Sequence, residues 1–169
     1  VNALPAPISG TPTVCQGLTT TLSDATAFGG WTSSNSAIAS VGSSTGIVTG
    51  NTTGSATITY TLSTGCLTTQ VVTVNPLPAS ITGTGTVCVG ATTALTNATG
   101  GGNWTTSNSA LATVSGTGVV TGVAAGNPVI TYTLPTGCIA VTTITVNPLP
   151  AAITGTPTVC SGLTTALTN

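Results

Sequence analysis

Apolar residues and threonines alternate without a break through Ala56-Thr57-Ile58-Thr59-Tyr60-Thr61-Leu62. A period of two sends successive side chains to opposite faces, so this run predicts a half-buried β-strand. The pattern recurs at Val129–Leu134, with Ile130, Tyr132 and Leu134 inward. A Ser63-Thr64-Gly65 turn leads into Cys66–Val74, where Val72 and Val74 continue the inward face. Threonine suits the outward face, because its branched side chain favours strands while its hydroxyl meets water. Ser80–Val87, interrupted by Gly83 and Gly85, reads as a short, kinked first strand, and Ala91–Ala98 as a strand with Thr93 and Leu95 inward. After a Gly100-Gly101-Gly102 turn come Trp104–Ser107, Leu111–Ser115, a Gly116-Thr117-Gly118 turn and Val119–Gly122. No segment carries the helical period. Six or seven short strands between glycine-rich turns predict an all-β fold, a sandwich of two sheets.

The pattern is itself repeated. Val74–Cys88 has close copies at Val1–Cys15 and Val146–Cys160, offset by 73 and 72 residues. The chain therefore divides into repeat 1 (1–73), repeat 2 (74–145) and the first strands of an incomplete third repeat (146–169). The extra residue of repeat 1 falls in the turn Gly42-Ser43-Ser44-Thr45-Gly46, where insertions are tolerated. Pro76 and Pro78 make Asn75–Ala79 a stiff, short linker. Val1 reads as the end of a preceding strand and Asn169 as part of a second one, as in a window on a longer array. Residues 146–169 cannot bury a core alone; they are expected either to continue in the same chain or to complete a sandwich in another copy.

Charge narrows the functional classes. Lys, Arg and His are absent, and Asp24 is the one acidic residue among 169. An ordinary domain is about a quarter charged. Without cations there is no counterion release from a phosphate backbone and no attraction to an anionic membrane surface, so neither nucleic acid nor membrane insertion is expected. A mean hydropathy of +0.54 with strict alternation argues against disorder. Acid–base catalysis would need a group titrating near neutrality, and the chain has no His or Lys; paired carboxylates or a calcium cage would need more than Asp24. No enzyme activity, metal or cofactor is expected. Asp24 corresponds to Asn97 and Asn169, and a strand-end turn accounts for it. The missing charges also leave sheet edges without their usual guards. Two readings stand side by side: lateral self-association, or a soluble rod whose Thr-rich edges suffice.

Cys15 and Cys66 lie 51 residues apart, Cys88 and Cys138 lie 50 apart, and Cys160 matches Cys15 and Cys88. Pairs at fixed spacing, without His or CxxC, predict disulfides in an oxidising compartment. Two thiolates per repeat cannot close a zinc tetrahedron. Cys160 then needs a partner outside this segment or in another copy. Trp31, Trp104, Tyr60 and Tyr132 are assigned to the core, with a sugar-stacking role for the tryptophans as the alternative. Phe28, matched by Gly101, reads as a loop anchor or as a contact on a neighbouring domain. Asn51, Asn97 and Asn103 open N-x-S/T triplets, short enough to arise by coincidence; the many Thr and Ser leave O-linked glycans open.

Three further stretches are Trp31-Thr32-Ser33-Ser34-Asn35 through Ala39-Ser40-Val41, Gly46-Ile47-Val48-Thr49-Gly50, and Gly54-Ser55-Ala56-Thr57-Ile58. They recur at Trp104–Val114, Gly118–Gly122 and Gly126–Ile130, with Asn127-Pro128 as a departure. In these pieces both full repeats resemble the bacterial Ig-like domain, group 2. The resemblance implies tandem Ig-like sandwiches of the kind found in bacterial surface adhesins such as the intimin and invasin stalks. It points to a non-catalytic structural segment of a secreted surface protein, forming an extracellular fibre, filament or adhesin stalk. Its partners would be neighbouring repeats and other copies of itself. The alternative is a carbohydrate-binding adhesin module. The cysteines depart from the family pattern. Cys15 precedes the second strand and Cys66 opens the last, and those elements can run side by side. Bridges Cys15–Cys66 and Cys88–Cys138 are therefore expected, each closing a loop of about 50 residues and stabilising its repeat by roughly 4 kcal/mol.

Overall fold

A computed structural model describes residues 2–169, so the strand ending expected at Val1 lies outside the described residues. The chain forms two compact units. The first comprises Val1–Ala79 together with Thr99–Gly102 and Thr133–Ala140; the second comprises Ser80–Ala98, Asn103–Tyr132 and Val141–Asn169.

In the first unit the strands are β1 (Ser9–Gly10), β2 (Thr13–Cys15), β3 (Thr19–Ser23), β4 (Gly29–Ser33), β5 (Ala39–Val41), β6 (Ile47–Gly50), β7 (Gly54–Leu62) and β8 (Leu67–Asn75). They make two sheets, ordered β1-β3-β6-β5 and β2-β8-β7-β4. The opening strand belongs to both. Ser9 pairs with Ser23 in one sheet, and three residues after Gly10 the chain pairs Thr13 with Thr73 in the other. Gly10, at φ 117°, permits the crossover. All pairings are antiparallel except β2 against β8, which is parallel. This is the strand order of an Ig-like sandwich.

Alternation explains the core. In β7, Ala56, Ile58 and Tyr60 are buried while the threonines between them are half-buried. In β8, Val72 and Val74 point inward and Val71 is exposed. Leu22, Ala39 and Val48 meet them from the opposite sheet in one cluster. No buried polar or charged residue interrupts it among the described residues. The sheets approach closely at Gly50, where a Cβ would lie 2.9 Å from Val74 Cγ1 and 3.0 Å from Val14 Cγ1.

The second unit contains β9 (Thr82–Gly83), β10 (Thr86–Cys88), β11 (Thr92–Thr96), β12 (Asn103–Thr106), β13 (Ala112–Val114), β14 (Val119–Gly122), β15 (Val129–Thr133), β16 (Ile139–Thr143) and β17 (Thr145–Asn147). Its sheets run β13-β14-β11-β9, β12-β15-β16 and β10-β17, the same plan with the last strand divided. Leu95, Val120, Ile130, Ile144 and Val146 fill its core. The kinked first strand expected at Ser80–Val87 is likewise β9 and β10 in two different sheets.

Two short strands, β18 (Thr154–Gly155) and β19 (Leu167–Thr168), pair in the register of β1 with β3 and β9 with β11. The hydroxyls of Ser9 and Ser23, Thr82 and Thr96, and Thr154 and Thr168 meet at 2.9, 2.8 and 2.9 Å. Leu167, however, is exposed, whereas its counterparts Leu22 and Leu95 are buried.

Gly50→Ala is expected to destabilise the first unit by about 1–3 kcal/mol, since Val14 and Val74 would have to give way. Urea denaturation checks this, and an unchanged midpoint would refute the close approach.

Candidate functional site

The end of the first unit formed by the β3–β4 loop is built around Tyr60. Trp31 and Tyr60 are cross-strand neighbours on β4 and β7, their ring centroids 4.7 Å apart at 50°. Both are buried, as are Trp104 and Tyr132, which meet at 4.7 Å and 55°. Little of either tryptophan is left at the surface.

The Tyr60 hydroxyl donates to the Thr26 carbonyl at 2.6 Å and accepts from the Gly29 amide at 2.9 Å. A Cβ at Gly29 would collide with the Tyr60 ring. The Thr26 hydroxyl in turn accepts from the Ala6 amide at 2.8 Å, tying the loop to the entering chain. Asp24 Oδ1 accepts from the Thr26 amide at 2.7 Å, the Asx-turn chemistry of a strand end. Its Oδ2 is buried without a hydrogen-bond partner. Asp24, Phe28, Trp31, Thr45 and Tyr60 line a shallow cleft of about 290 Å³. Phe28 stands at φ 67° and is 94% exposed. The corresponding loop of repeat 2, Thr99–Gly102, lies within the first compact unit, and Thr99 Oγ1 accepts from the Ala79 amide at 2.9 Å.

The cysteines are joined differently from the expected bridges. Cys15 is bonded to Cys138, 123 residues away, with a Cα–Cα distance of 5.7 Å. Cys66, Cys88 and Cys160 are free thiols. Both expected pairings, Cys15–Cys66 and Cys88–Cys138, are therefore corrected. The reason is register. The first and last strands of a repeat do run side by side, but in parallel, with Cys15 opposite Asn75. Cys66 immediately precedes Leu67 at the other end of nine-residue β8. At about 3.3 Å per residue the two cysteines sit roughly 30 Å apart along that strand, several times the reach of a disulfide. Cys88 opposite Asn147 is separated from Cys138 in the same way.

Cys138 instead occupies the tip of the hairpin between β15 and β16, in Thr133–Ala140, which belongs to the first unit with Cys15. It is 1% exposed there. Its repeat-1 counterpart, Cys66, is half-buried, with its thiol 4.0 Å from the Asn2 carbonyl. The cystine and the hairpin tip it holds are the chemically distinctive feature of the chain. Spacing revealed which cysteines are equivalent, but nothing in it specified the partner. Asn51 uses its amide nitrogen to hold the Ser36 carbonyl at 2.8 Å and the Ser40 hydroxyl at 3.2 Å. No group of three or more His, Cys, Asp or Glu gathers among the described residues. No helix among them is long and apolar enough to cross a membrane.

The family model for the bacterial Ig-like domain (group 2) matches twice in tandem, over residues 8–73 and 68–146. Among solved structures, the C-terminal 282-residue fragment of intimin, in complex with the intimin-binding domain of its translocated receptor, is similar at 16% identity and a TM-score of 0.50. The match covers 86% of this chain and 64% of that one. Invasin, a bacterial integrin-binding protein, is similar at 16% identity and a TM-score of 0.50, over 83% of this chain and 38% of that one. Domains 1–6 of the surface-layer protein SbsC are similar at 22% identity and a TM-score of 0.35, over 82% and 25%. The chain thus spans less than two thirds of each of these proteins. At such identities the likeness is one of fold. No curated protein sequence matches the chain.

Tyr60→Phe should remove both hydroxyl bonds and cost about 1–3 kcal/mol. Hydrogen exchange at the Gly29 amide is expected to accelerate by at least tenfold; unaltered protection there would show that the loop is held by something else.

Proposed function

The chain belongs to the bacterial Ig-like domain family, group 2, and on that premise we propose that it is a non-catalytic structural segment of a secreted bacterial surface protein. Its product is mechanical: an extracellular fibre, filament or adhesin stalk made of sandwiches in series. The observation that carries this reading is the Cys15–Cys138 cystine, which ties the first strands of one repeat's sequence to the last hairpin of the next. Such a bond serves an array and would have no use in a lone domain. It also belongs to an oxidising compartment, as outside the cytoplasm.

Other features agree. The chain is poor in the side chains that acid–base chemistry most often uses, with no Lys, Arg or His and one acidic residue. The proline linker at Asn75–Ala79 shortens and stiffens the joint between repeats. The partners under this reading are neighbouring repeats and other copies of the same chain. Intimin and invasin, which share the fold, are bacterial proteins whose structures are described with a receptor and as integrin-binding, and a stalk role here follows the same architecture.

One observation favours the carbohydrate-binding alternative: exposed Phe28 beside the cleft that Asp24 and Thr45 line. Against it, both tryptophans are buried, and the equivalent loop of repeat 2 is already part of the first unit's packing. The array reading accounts for both facts.

Antibody against this chain is expected to label intact, unpermeabilised cells of the producing organism along extended surface structures in immunogold electron microscopy. Label confined to permeabilised cells would overturn the proposal.

A further inference from the structure

The cystine has a direction. It joins the β2 cysteine of repeat 1 to the hairpin-tip cysteine of repeat 2. Cys88 is the β2-type cysteine of repeat 2, with Cys88 opposite Asn147 just as Cys15 is opposite Asn75. Cys66 is the hairpin-tip cysteine of repeat 1: Leu62 donates its amide to the Cys66 carbonyl at 2.9 Å, just as Leu134 does to Cys138. Both are free and neither is enclosed in a core. The two positions that are bonded in one combination are thus each present again, unbonded, in the geometry that the bonded pair has.

We propose that Cys66 and Cys88 are the open ends of a cystine ladder. Wherever one repeat follows another, the β2 cysteine of each is bonded to the hairpin-tip cysteine of the next. Cys88 takes the Thr-Gly-Cys hairpin tip of a following repeat, and Cys66 is taken by the β2 cysteine of a preceding one. Each rung forms by thiol–disulfide exchange with a small disulfide oxidant. One thiolate attacks the oxidant and releases one of its thiols. The second thiolate then displaces the other, so two protein thiols become one cystine and the oxidant leaves as two thiols.

The ladder changes what the array can do under load. Cys88 follows Cys66 by 22 residues, and Cys160 follows Cys138 by 22. A covalent path running from a hairpin cysteine to the next β2 cysteine, and across the cystine, passes two repeats in 22 residues plus 5.7 Å. Its full reach is about 80 Å, against roughly 500 Å for the same two repeats pulled out as free chain. Two such paths interleave, one starting in odd repeats and one in even. Even if its sandwiches come apart, the array lengthens only to that reach, and a single cut in the linker does not sever it. This inference rests on the array reading and specifies how the array is held.

The test is the full chain continued past Asn169 with a copy of residues 98–145, which completes a third repeat and supplies one more hairpin cysteine. After air oxidation with glutathione disulfide and digestion without reductant, mass spectrometry should find the copied cysteine joined to Cys88, alongside Cys15–Cys138. Iodoacetamide should label two cysteines, Cys66 and Cys160. In the Cys88→Ser variant the copied cysteine should become a third labelled site, while Cys66→Ser should leave both cystines in place. A copied cysteine joined to Cys160 or Cys66, or left free beside an intact Cys88, would overturn the ladder. Such a result would leave the surface-array reading standing, since that is decided by where the antibody label falls on cells.

Discussion

The parallel pairing of β2 with β8 is the constraint from which the rest follows. It fixes Cys15 beside Asn75, at the exit of the repeat, and leaves Cys66 at the start of β8 on the far side. A cystine within the repeat would have required the strands to run in opposite directions. With this register the two cysteines of one repeat lie too far apart to bond each other. The one cystine instead joins Cys15 to a residue 123 positions away.

A chain almost without charge has to hold its sandwich by other means. The core supplies most of it: two long central strands, β7 and β8, whose inward residues meet Leu22, Ala39 and Val48 across the gap. Small residues set the distance between the sheets, as Gly50 does against Val14 and Val74. Loops are pinned by hydroxyls where another protein would use ion pairs. Tyr60 closes on Thr26 and Gly29, Thr26 on Ala6, and Thr52 on the Ala37 carbonyl. These bonds carry no net charge, so salt has little to screen.

Much of this is visible in the residue pattern, and what is hidden is hidden for a reason. Alternation located β7, β8 and β15, because a period of two is a local property of the chain. Tyr60 and Tyr132 alternate with Thr, and in the fold they are buried against Trp31 and Trp104. The first strand was legible as kinked, but its division between two sheets was not, because a two-residue pairing such as Ser9–Ser23 leaves almost no periodic trace. The cystine partner was out of reach altogether. Spacing within a repeat of about 73 residues says that two cysteines are equivalent from copy to copy; it says nothing of the strand direction that separates them. The cleft at Phe28 was signalled only by an unmatched aromatic where repeat 2 has Gly101.

Without charged gatekeepers, the length of each unpaired edge decides how far a sheet can template another strand. In the first unit the outermost strands are short, β1 with two residues, β5 and β2 with three, and β4 with five. Nine-residue β7 and β8 lie between β4 and β2, but β2 covers β8 only at Thr73–Asn75, so the stretch from Leu67 to Val72 pairs with β7 on one edge and with no strand on the other. An edge of two or three residues offers too few unpaired amides to template another chain, and shortness is one of the recognised ways of blunting an edge. The opening strand changes sheets at Gly10, so it lies against β3 over two residues and against β8 over three. Brevity thus blunts most of the edge, and the outer side of Leu67–Val72 is where a further strand has room to pair. The cysteines are placed otherwise, one bonded and one free in each full repeat: Cys15 bonded and Cys66 free in the first, Cys138 bonded and Cys88 free in the second.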